Sequence, residues 1–152
     1  MIILIEKDTI KLLRECDSGI QMGIASIDDV WSYVNDFELK KALNRCKDEH
    51  NDLNNEIIML LHEYHDKGKK PNFFITMMSK AKVKFKMFLN RSDETISSLM
   101  IEGCKMGIDS LNRYLNQYKA AEEKVKAITK KLIKVEEELI KDLKKFTKKR
   151  DV

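Results

Sequence analysis

The chain has 152 residues, of which 43% are hydrophobic and 36% charged, which is typical of one globular domain and excludes a disordered chain. Five glycines and one proline are too few turn residues for a β-sandwich or barrel. The net charge of +4 is unevenly spread, because residues 67–91 contain eight Lys and Arg and no acidic residue, which indicates a basic connector.

Targeting signals and disulfides are not expected. No apolar run approaches the roughly 20 residues that span a bilayer. The apolar start Met1–Leu4 is followed at once by Glu6 and Asp8, which is not the pattern of a signal peptide. Three scattered cysteines without CxxC spacing favour a reducing compartment. We therefore expect a cytoplasmic protein.

The first half of the chain predicts a helical hairpin over residues 8–67. Apolar residues recur every three or four positions from about Asp8 to Val34, with Asp8-Thr9 as the expected N-cap. A second helix is expected to start at the N-cap Asp36 and to end near Lys67. Gly68 is then placed as the C′ residue that stops it.

In the connector, residues 68–92, the spacing of the apolar residues fits either a strand or a helix. Four lysines at positions 80, 82, 84 and 86 alternate with apolar residues, as in a strand. Its Phe and Met residues fit one face of a helix equally well. We predict a helix, because a lone strand in a helical chain would have no partner. This helical face would comprise Phe74, Met77, Met78, Ala81, Phe85, Phe88 and Leu89.

The last part of the chain, residues 93–148, predicts a second hairpin, with helices of about Ser92–Tyr118 and Ala121–Lys148. It repeats the first, because Gly19–Trp31 returns 84 positions later as Gly103–Leu115. The repeated small residues predict a close contact between the first helices of the two hairpins. The whole sequence, residues 1–152, is thus expected to form one all-α domain, a bundle of two hairpins joined by a crossover.

This pattern resembles the ferritin-like superfamily. Short segments, namely Leu12-Leu13 with Gly19, Lys47–His50 and Cys104–Asp109, are similar to those of a small bacterial ferritin-like family that is functionally uncharacterised. The resemblance implies a ferritin-like four-helix bundle and a di-iron or related carboxylate site, built from a Glu on two helices and Glu-x-x-His on the other two. The chain has no Glu-x-x-His. Isoleucines, Ile24 and Ile108, stand where a ligand carboxylate is expected, so we do not expect a ferroxidase.

Several polar residues fall on the apolar stripes near one level of the predicted bundle. They are Asp17, His50 and Glu136, with Glu49 and Glu102 nearby. Carboxylates and imidazole are suitable ligands for iron, manganese or zinc. The simpler interpretation, which we prefer, is a buried hydrogen bond between Asp17 and His50 that satisfies both groups.

The basic connector has three interpretations. It could dock its Phe/Met face onto the bundle, lie on a membrane surface or partner, or bind nucleic acid, although no groove-reading motif is present. We prefer the first, because a crossover needs an apolar face to attach it to the bundle. No specific nucleic acid is expected.

The functional hypotheses follow from these observations. No nucleophile constellation or phosphate-binding loop is visible, and no catalytic or cofactor-binding residue is assigned. We expect a non-enzymatic interaction or scaffold module, forming a homodimer and possessing a degenerate metal site. One alternative is a cytoplasmic iron-, manganese- or zinc-binding protein in metal or oxidative-stress handling. The other is a peripheral binder of anionic surfaces through the connector.

Overall fold

The computed structural model describes residues 2–147 of the chain; Met1 and residues 148–152, including the predicted helix end at Lys148, lie outside the described residues. The described part is all-helical and contains no strand. Its five helices are α1 (Ile2–Trp31), α2 (Phe37–Glu63), α3 (Phe73–Leu89), α4 (Asp93–Gln117) and α5 (Glu123–Thr147). The predictions of an all-α chain and of a helical connector are therefore confirmed.

Side-chain caps start the three central helices. The Asp36 carboxylate accepts hydrogen bonds from the backbone N–H groups that open α2, as the sequence predicted. Asn72 does the same for α3, and the Ser92 hydroxyl accepts from Thr95 N at the start of α4. Each cap satisfies backbone donors that have no partner within the helix, which explains why these helices begin where they do.

The start of α1 differs from the prediction. The helix begins at Ile2 rather than near Asp8, so Asp8 and Thr9 lie inside it and do not cap it. They bind backbone donors in the turn between α4 and α5 instead. Ala120 N donates to Asp8 Oδ2 at 3.0 Å, and Glu122 N donates to Thr9 Oγ1 at 2.9 Å. Their side chains thus join the two hairpins. A pattern of neighbouring residues cannot predict this contact, because the bonded residues are more than 100 positions apart.

The start of α4 makes the corresponding contact at the other end. Asp93 accepts hydrogen bonds from Asn35 N at 2.8 Å and Asp36 N at 2.9 Å. Each hairpin turn is therefore held by the first helix of the other hairpin. These contacts place the starts of α2 and α4 at one end of the molecule and those of α1 and α5 at the other. Helix α1 packs on α2 and α4, and α5 packs on the same two helices.

The core consists of two apolar clusters separated by one polar layer. One cluster includes Ile20, Leu53, Leu111 and Leu132. The other includes Ile27, Cys46, Cys104 and Leu139. Between its residues of the two clusters, each of the four long helices contributes one position to this layer. These positions are Gly23 on α1, His50 on α2, Gly107 on α4 and Glu136 on α5.

The segment after α2 also differs from the prediction. Helix α2 ends at Glu63 rather than near Lys67, and the left-handed residue that follows is His65, with φ 55°. Gly68 is not the C′ residue, although its φ is 78°. A Cβ on Gly68 would lie 2.2 Å from Asp17 Oδ2. Glycine is needed here because the loop approaches α1 so closely.

Helix α3 lies against α1 and α4, but not through the face that the sequence analysis selected. Its attachment is made by Met87, which is 1% exposed, and by the half-buried Val83. The Phe/Met face is exposed instead, with Phe74 at 76% and Phe88 at 83%. The predicted docking of that face onto the bundle is therefore wrong. The helix has two apolar faces, and the narrower one packs.

Candidate functional site

The polar layer is centred on an ion pair between α2 and α5. The His50 side chain is 1% exposed, and its Nε2 lies 2.7 Å from Glu136 Oε1. On the other side of the ring, Nδ1 lies 2.8 Å from the carbonyl oxygen of Cys46. Both ring nitrogens thus face acceptors, and only the doubly protonated imidazolium can donate to both. The geometry describes a buried imidazolium–carboxylate pair.

The electrostatics of His50 agree with this geometry. Burial by itself lowers the pKa of the imidazole, since it penalises the charged form, but hydrogen bonds to Cys46 and Glu136 outweigh burial and raise the pKa of His50 to about 10. The Cys46 thiol is 3.4 Å from Nδ1, farther than the Cys46 carbonyl. We therefore place the Nδ1 proton on the bond to the backbone carbonyl.

The two glycines of this layer lie beside the pair, and Gly23 makes room for it. A Cβ on Gly23 would lie 3.0 Å from His50 Nε2, and one on Gly107 would lie 4.0 Å from Glu136 Oε2. The preceding glycine of each repeat, Gly19 or Gly103, has no such neighbour within 4 Å. The sequence predicted that these glycines bring the first helices of the two hairpins close together. In the structure, the groups that lie closest to them are the side chains of the ion pair, and only Gly23 and Gly107 have such a neighbour.

Asp17, the first of the predicted site residues, is buried but is not the partner of His50. Its carboxylate accepts hydrogen bonds from Gln21 Nε2 at 2.9 Å and from Lys69 N at 3.0 Å. The preferred Asp17–His50 hydrogen bond is therefore wrong. The level of a residue along the bundle does not say which neighbouring segment supplies its partner. His50 finds its acceptor on α5, and Asp17 finds its donors in the α2–α3 loop and on α1 itself.

That loop is held to α1 by further ion pairs. The Arg14 guanidinium donates to both carboxylate oxygens of Asp66, and this hydrogen bonding lowers the pKa of Asp66. Lys69 Nζ lies 2.6 Å from Glu15 Oε1. Asp17 is thus one of several side chains that attach the loop to α1, which fixes where α3 begins.

The two remaining predicted ligands lie apart from the pair. Glu102 of α4 forms an exposed ion pair with Lys82 of α3 at 2.7 Å, and this hydrogen bond lowers the pKa of Glu102. Glu49 is half-buried and lines an open groove between α2 and α5 with Glu138 and other residues. Of the five residues predicted as metal ligands, the structure brings only His50 and Glu136 into contact.

These residues do not fit a carboxylate–histidine metal centre. Within residues 2–147, no three His, Cys, Asp or Glu side chains are grouped so that they could hold a metal ion. Binding through His50 would also require one ring nitrogen to give up its proton and its present acceptor. The arrangement can instead hold a proton and a pair of opposite charges in the middle of an apolar core.

The cysteines near this layer are not activated. Burial raises the pKa of the Cys104 thiol, as does the neighbouring Glu136, and burial also raises the pKa of Cys46. In the cluster that contains Ile20 and Leu53, burial raises the pKa of Cys16 to about 12. A thiol whose pKa is raised is mostly protonated at neutral pH and is a poor nucleophile.

The sequence contains one further signal for this pair. Glu136 follows His50 by 86 positions, close to the repeat offset of 84, so the two residues are near-equivalent in the two hairpins. Equivalent positions facing the axis of a duplicated structure meet each other. The repeat could therefore have predicted their contact.

Comparison of the chain with family models, curated proteins and solved structures finds no match. The ferritin-like character of the chain therefore stays a prediction from its sequence.

Proposed function

We propose that this protein is a non-enzymatic, ferritin-like four-helix bundle that acts as an interaction module, with α3 as both crossover and binding element. The support for the fold is the packing of α1 and α5 on α2 and α4. The near-symmetric contacts of Asp8 and Asp93 with the two hairpin turns add to it. Helix α3 connects the hairpins while lying against α1 and α4, as a crossover helix would.

The observation that carries the proposed function is the outward apolar surface of α3. We define the outer face of α3 as eight exposed residues: Phe73, Phe74, Met77, Met78, Ala81, Phe85, Phe88 and Leu89. Their spacing of three and four positions places them side by side along the helix. A contiguous apolar surface of this kind is unusual on a monomer and is typical of a binding site.

The core supports the non-enzymatic part of the proposal. The central charged groups are paired with each other, since His50 donates to Glu136 and to the Cys46 carbonyl. This pair fixes the register of α2 against α5, because any other register would leave an unpaired charge in the core, which would lower the free energy of unfolding. We thus assign the polar layer to the specificity of the fold and α3 to binding.

The proposal is tested by replacing the outer face and following where the protein sediments. In lysates of cells that produce the chain, the wild type should sediment with larger assemblies or membranes. The variant Phe74→Glu/Phe85→Glu should remain in the supernatant, because charges replace the exposed rings. The matched control Met59→Glu/Met106→Glu alters two exposed apolar residues elsewhere and should behave as the wild type. Equal sedimentation of all three proteins would contradict the proposal.

Metal analysis tests the competing hypothesis. Protein purified without a histidine tag should contain less than one tenth of an equivalent of iron, manganese or zinc, and added Fe²⁺ should not change its thermal unfolding. Stoichiometric metal that disappears in the variant His50→Gln would overturn the proposal in favour of metal handling.

A further inference from the structure

The basic residues of α3 border its outer face on both sides. Lys80 and Lys84 lie on the side of α1, where their charges act on Asp29. Lys82 lies on the side of α4, where its Nζ is 2.7 Å from Glu102 Oε1; Lys86, one helical turn later, shares this side and also acts on Glu102. The outer face is thus an apolar strip with a row of lysines along each edge.

The attachment of α3 keeps this strip directed away from the rest of the protein. Met87 is buried in the core cluster that also contains Ile27 and Ile96. The outer face is therefore available without any unfolding of the helix. A helix of 17 residues is about 25 Å long, so the apolar strip is long enough to lie flat on an extended surface.

We infer that the outer face of α3 binds the surface of an anionic lipid bilayer, with the helix axis parallel to the membrane plane. This inference rests on the proposed function and names its partner. The apolar side chains would enter the boundary between headgroups and acyl chains. The lysines on both edges would extend their ammonium groups to the lipid phosphates while their methylene stems stay near the apolar strip. None of the described helices is long and apolar enough to cross the bilayer.

Charge complementarity selects this partner over two others. A second copy of the chain pairing α3 with α3 would bring rows of lysines together, because residues 67–91 contain eight basic residues and no acid. A nucleic acid would satisfy the lysines but leave the eight apolar residues of the outer face in water. An anionic bilayer satisfies both parts of the surface at once.

Vesicle binding by the purified full chain tests the inference. The wild type should bind phosphatidylcholine vesicles containing 30% phosphatidylglycerol at least ten times more tightly than pure phosphatidylcholine vesicles, and added salt should weaken this binding. Changing Lys80, Lys82, Lys84 and Lys86 to Gln should weaken binding at least tenfold. The matched control changes Lys130, Lys131, Lys134 and Lys144, four exposed lysines of α5, to Gln and should alter binding less than twofold.

A tryptophan probe locates the contact. In the variant Trp31→Phe/Phe85→Trp, the only tryptophan lies on the outer face, and brominated lipids should quench its fluorescence strongly. In the wild type, Trp31 at the end of α1 should be quenched much less. Equal quenching of the two proteins would overturn the inference.

The outcomes separate this inference from the proposed function. If vesicles do not bind, yet sedimentation from lysates still depends on Phe74 and Phe85, the partner is not lipid and the proposed function stands. If the wild type forms a dimer that the Phe74→Glu/Phe85→Glu change dissociates, a second copy covers the outer face and the inference is wrong. If neither vesicle binding nor sedimentation depends on α3, both proposals are overturned.

Discussion

Gly23 of α1 faces the imidazole of His50 so closely that a Cβ on the glycine would lie 3.0 Å from Nε2 and 3.2 Å from Cδ2. The ring has no freedom to withdraw, because each of its nitrogens is held by an acceptor on a different residue. The space left by this glycine is therefore what admits a charged pair into the centre of the core.

The first prediction compares two glycines on the same helix. Gly23→Ala should lower the free energy of unfolding by about 1–2 kcal/mol, because the added methyl overpacks against a fixed ring. Gly19→Ala should raise it by up to about 1 kcal/mol, because alanine is the better helix former and the position has no neighbour within 4 Å. Urea unfolding measures both. Equal stabilisation by the two substitutions would show that His50 can move.

The second prediction concerns the charge of Glu136. Glu136→Gln should cost about 3 kcal/mol in urea unfolding at pH 7, because it removes the negative partner of a buried imidazolium. The neighbouring Glu137→Gln changes an exposed carboxylate and should cost less than about 0.5 kcal/mol. The double variant His50→Gln/Glu136→Gln should recover part of the loss. Equal free energies of unfolding for Glu136→Gln and Glu137→Gln would rule out a charged pair.

The third prediction is a pH dependence that originates at His50. The pKa of His50 is about 10 in the folded chain and about 6.5 for an unfolded chain, so the native state binds the extra proton between these values. The stabilisation is complete below pH 6.5 and is lost as pH rises through 10. The free energy of unfolding should fall by at most about 1.4 kcal/mol per pH unit in this interval.

The His50→Gln variant is the control for this dependence. The buried thiols also contribute to the pH dependence, because they ionise at about pH 8.5 only in the unfolded chain, and they remain in the variant. Its free energy of unfolding should therefore decline less steeply than that of the wild type. Parallel pH profiles for the two proteins would show that His50 does not carry the proton.

The fourth prediction tests the loop that precedes α3. Gly68→Ala should cost about 2 kcal/mol in urea unfolding, because φ is 78° and the new Cβ would lie 2.2 Å from Asp17 Oδ2. Loss of the Asp17 contact should also speed hydrogen exchange at the Lys69 amide. Lys67→Ala, at an exposed position of the same loop, should change neither quantity appreciably.

The fifth prediction concerns thiol reactivity. All three cysteines are buried, and burial raises the pKa of Cys16 to about 12. A thiol reagent such as 5,5′-dithiobis(2-nitrobenzoate) should label the native chain at a rate that follows global unfolding in urea. Rapid labelling of one thiol in native conditions would reveal an accessible cysteine and contradict this expectation.

Much of the fold was predictable from local patterns. The all-α class and the capping residue Asp36 were correctly anticipated, because they depend on contacts within one or two helical turns. The start of α1 was misplaced, because Asp8 and Thr9 have the chemistry of caps but use it on the turn between α4 and α5. A residue with capping chemistry marks a helix start only when its side chain accepts a hydrogen bond from the backbone of the helix that follows it.

The candidate site was predictable only in part. The sequence predicted His50 and Glu136 near one level, and the structure pairs them at 2.7 Å. It assigned Asp17 to the same group, although the α2–α3 loop supplies the donor that occupies Asp17. The position of that loop depends on Gly68 and on ion pairs that join it to α1. The spacing of residues within one helix does not predict such contacts.

The sequence by itself determined where the amphipathic helices lie and that Asp17, His50 and Glu136 fall on their inner stripes, because periodicity and residue chemistry are local properties. Only the tertiary structure decided which buried groups become partners and which face of α3 is left exposed. The reason is that partner choice is a competition among several helices at once. From the sequence, His50 could pair with Asp17 or with Glu136, and the structure pairs it with Glu136. Helix α3 could likewise pack through its Phe/Met face or through Val83 and Met87, and the structure buries the second of these faces.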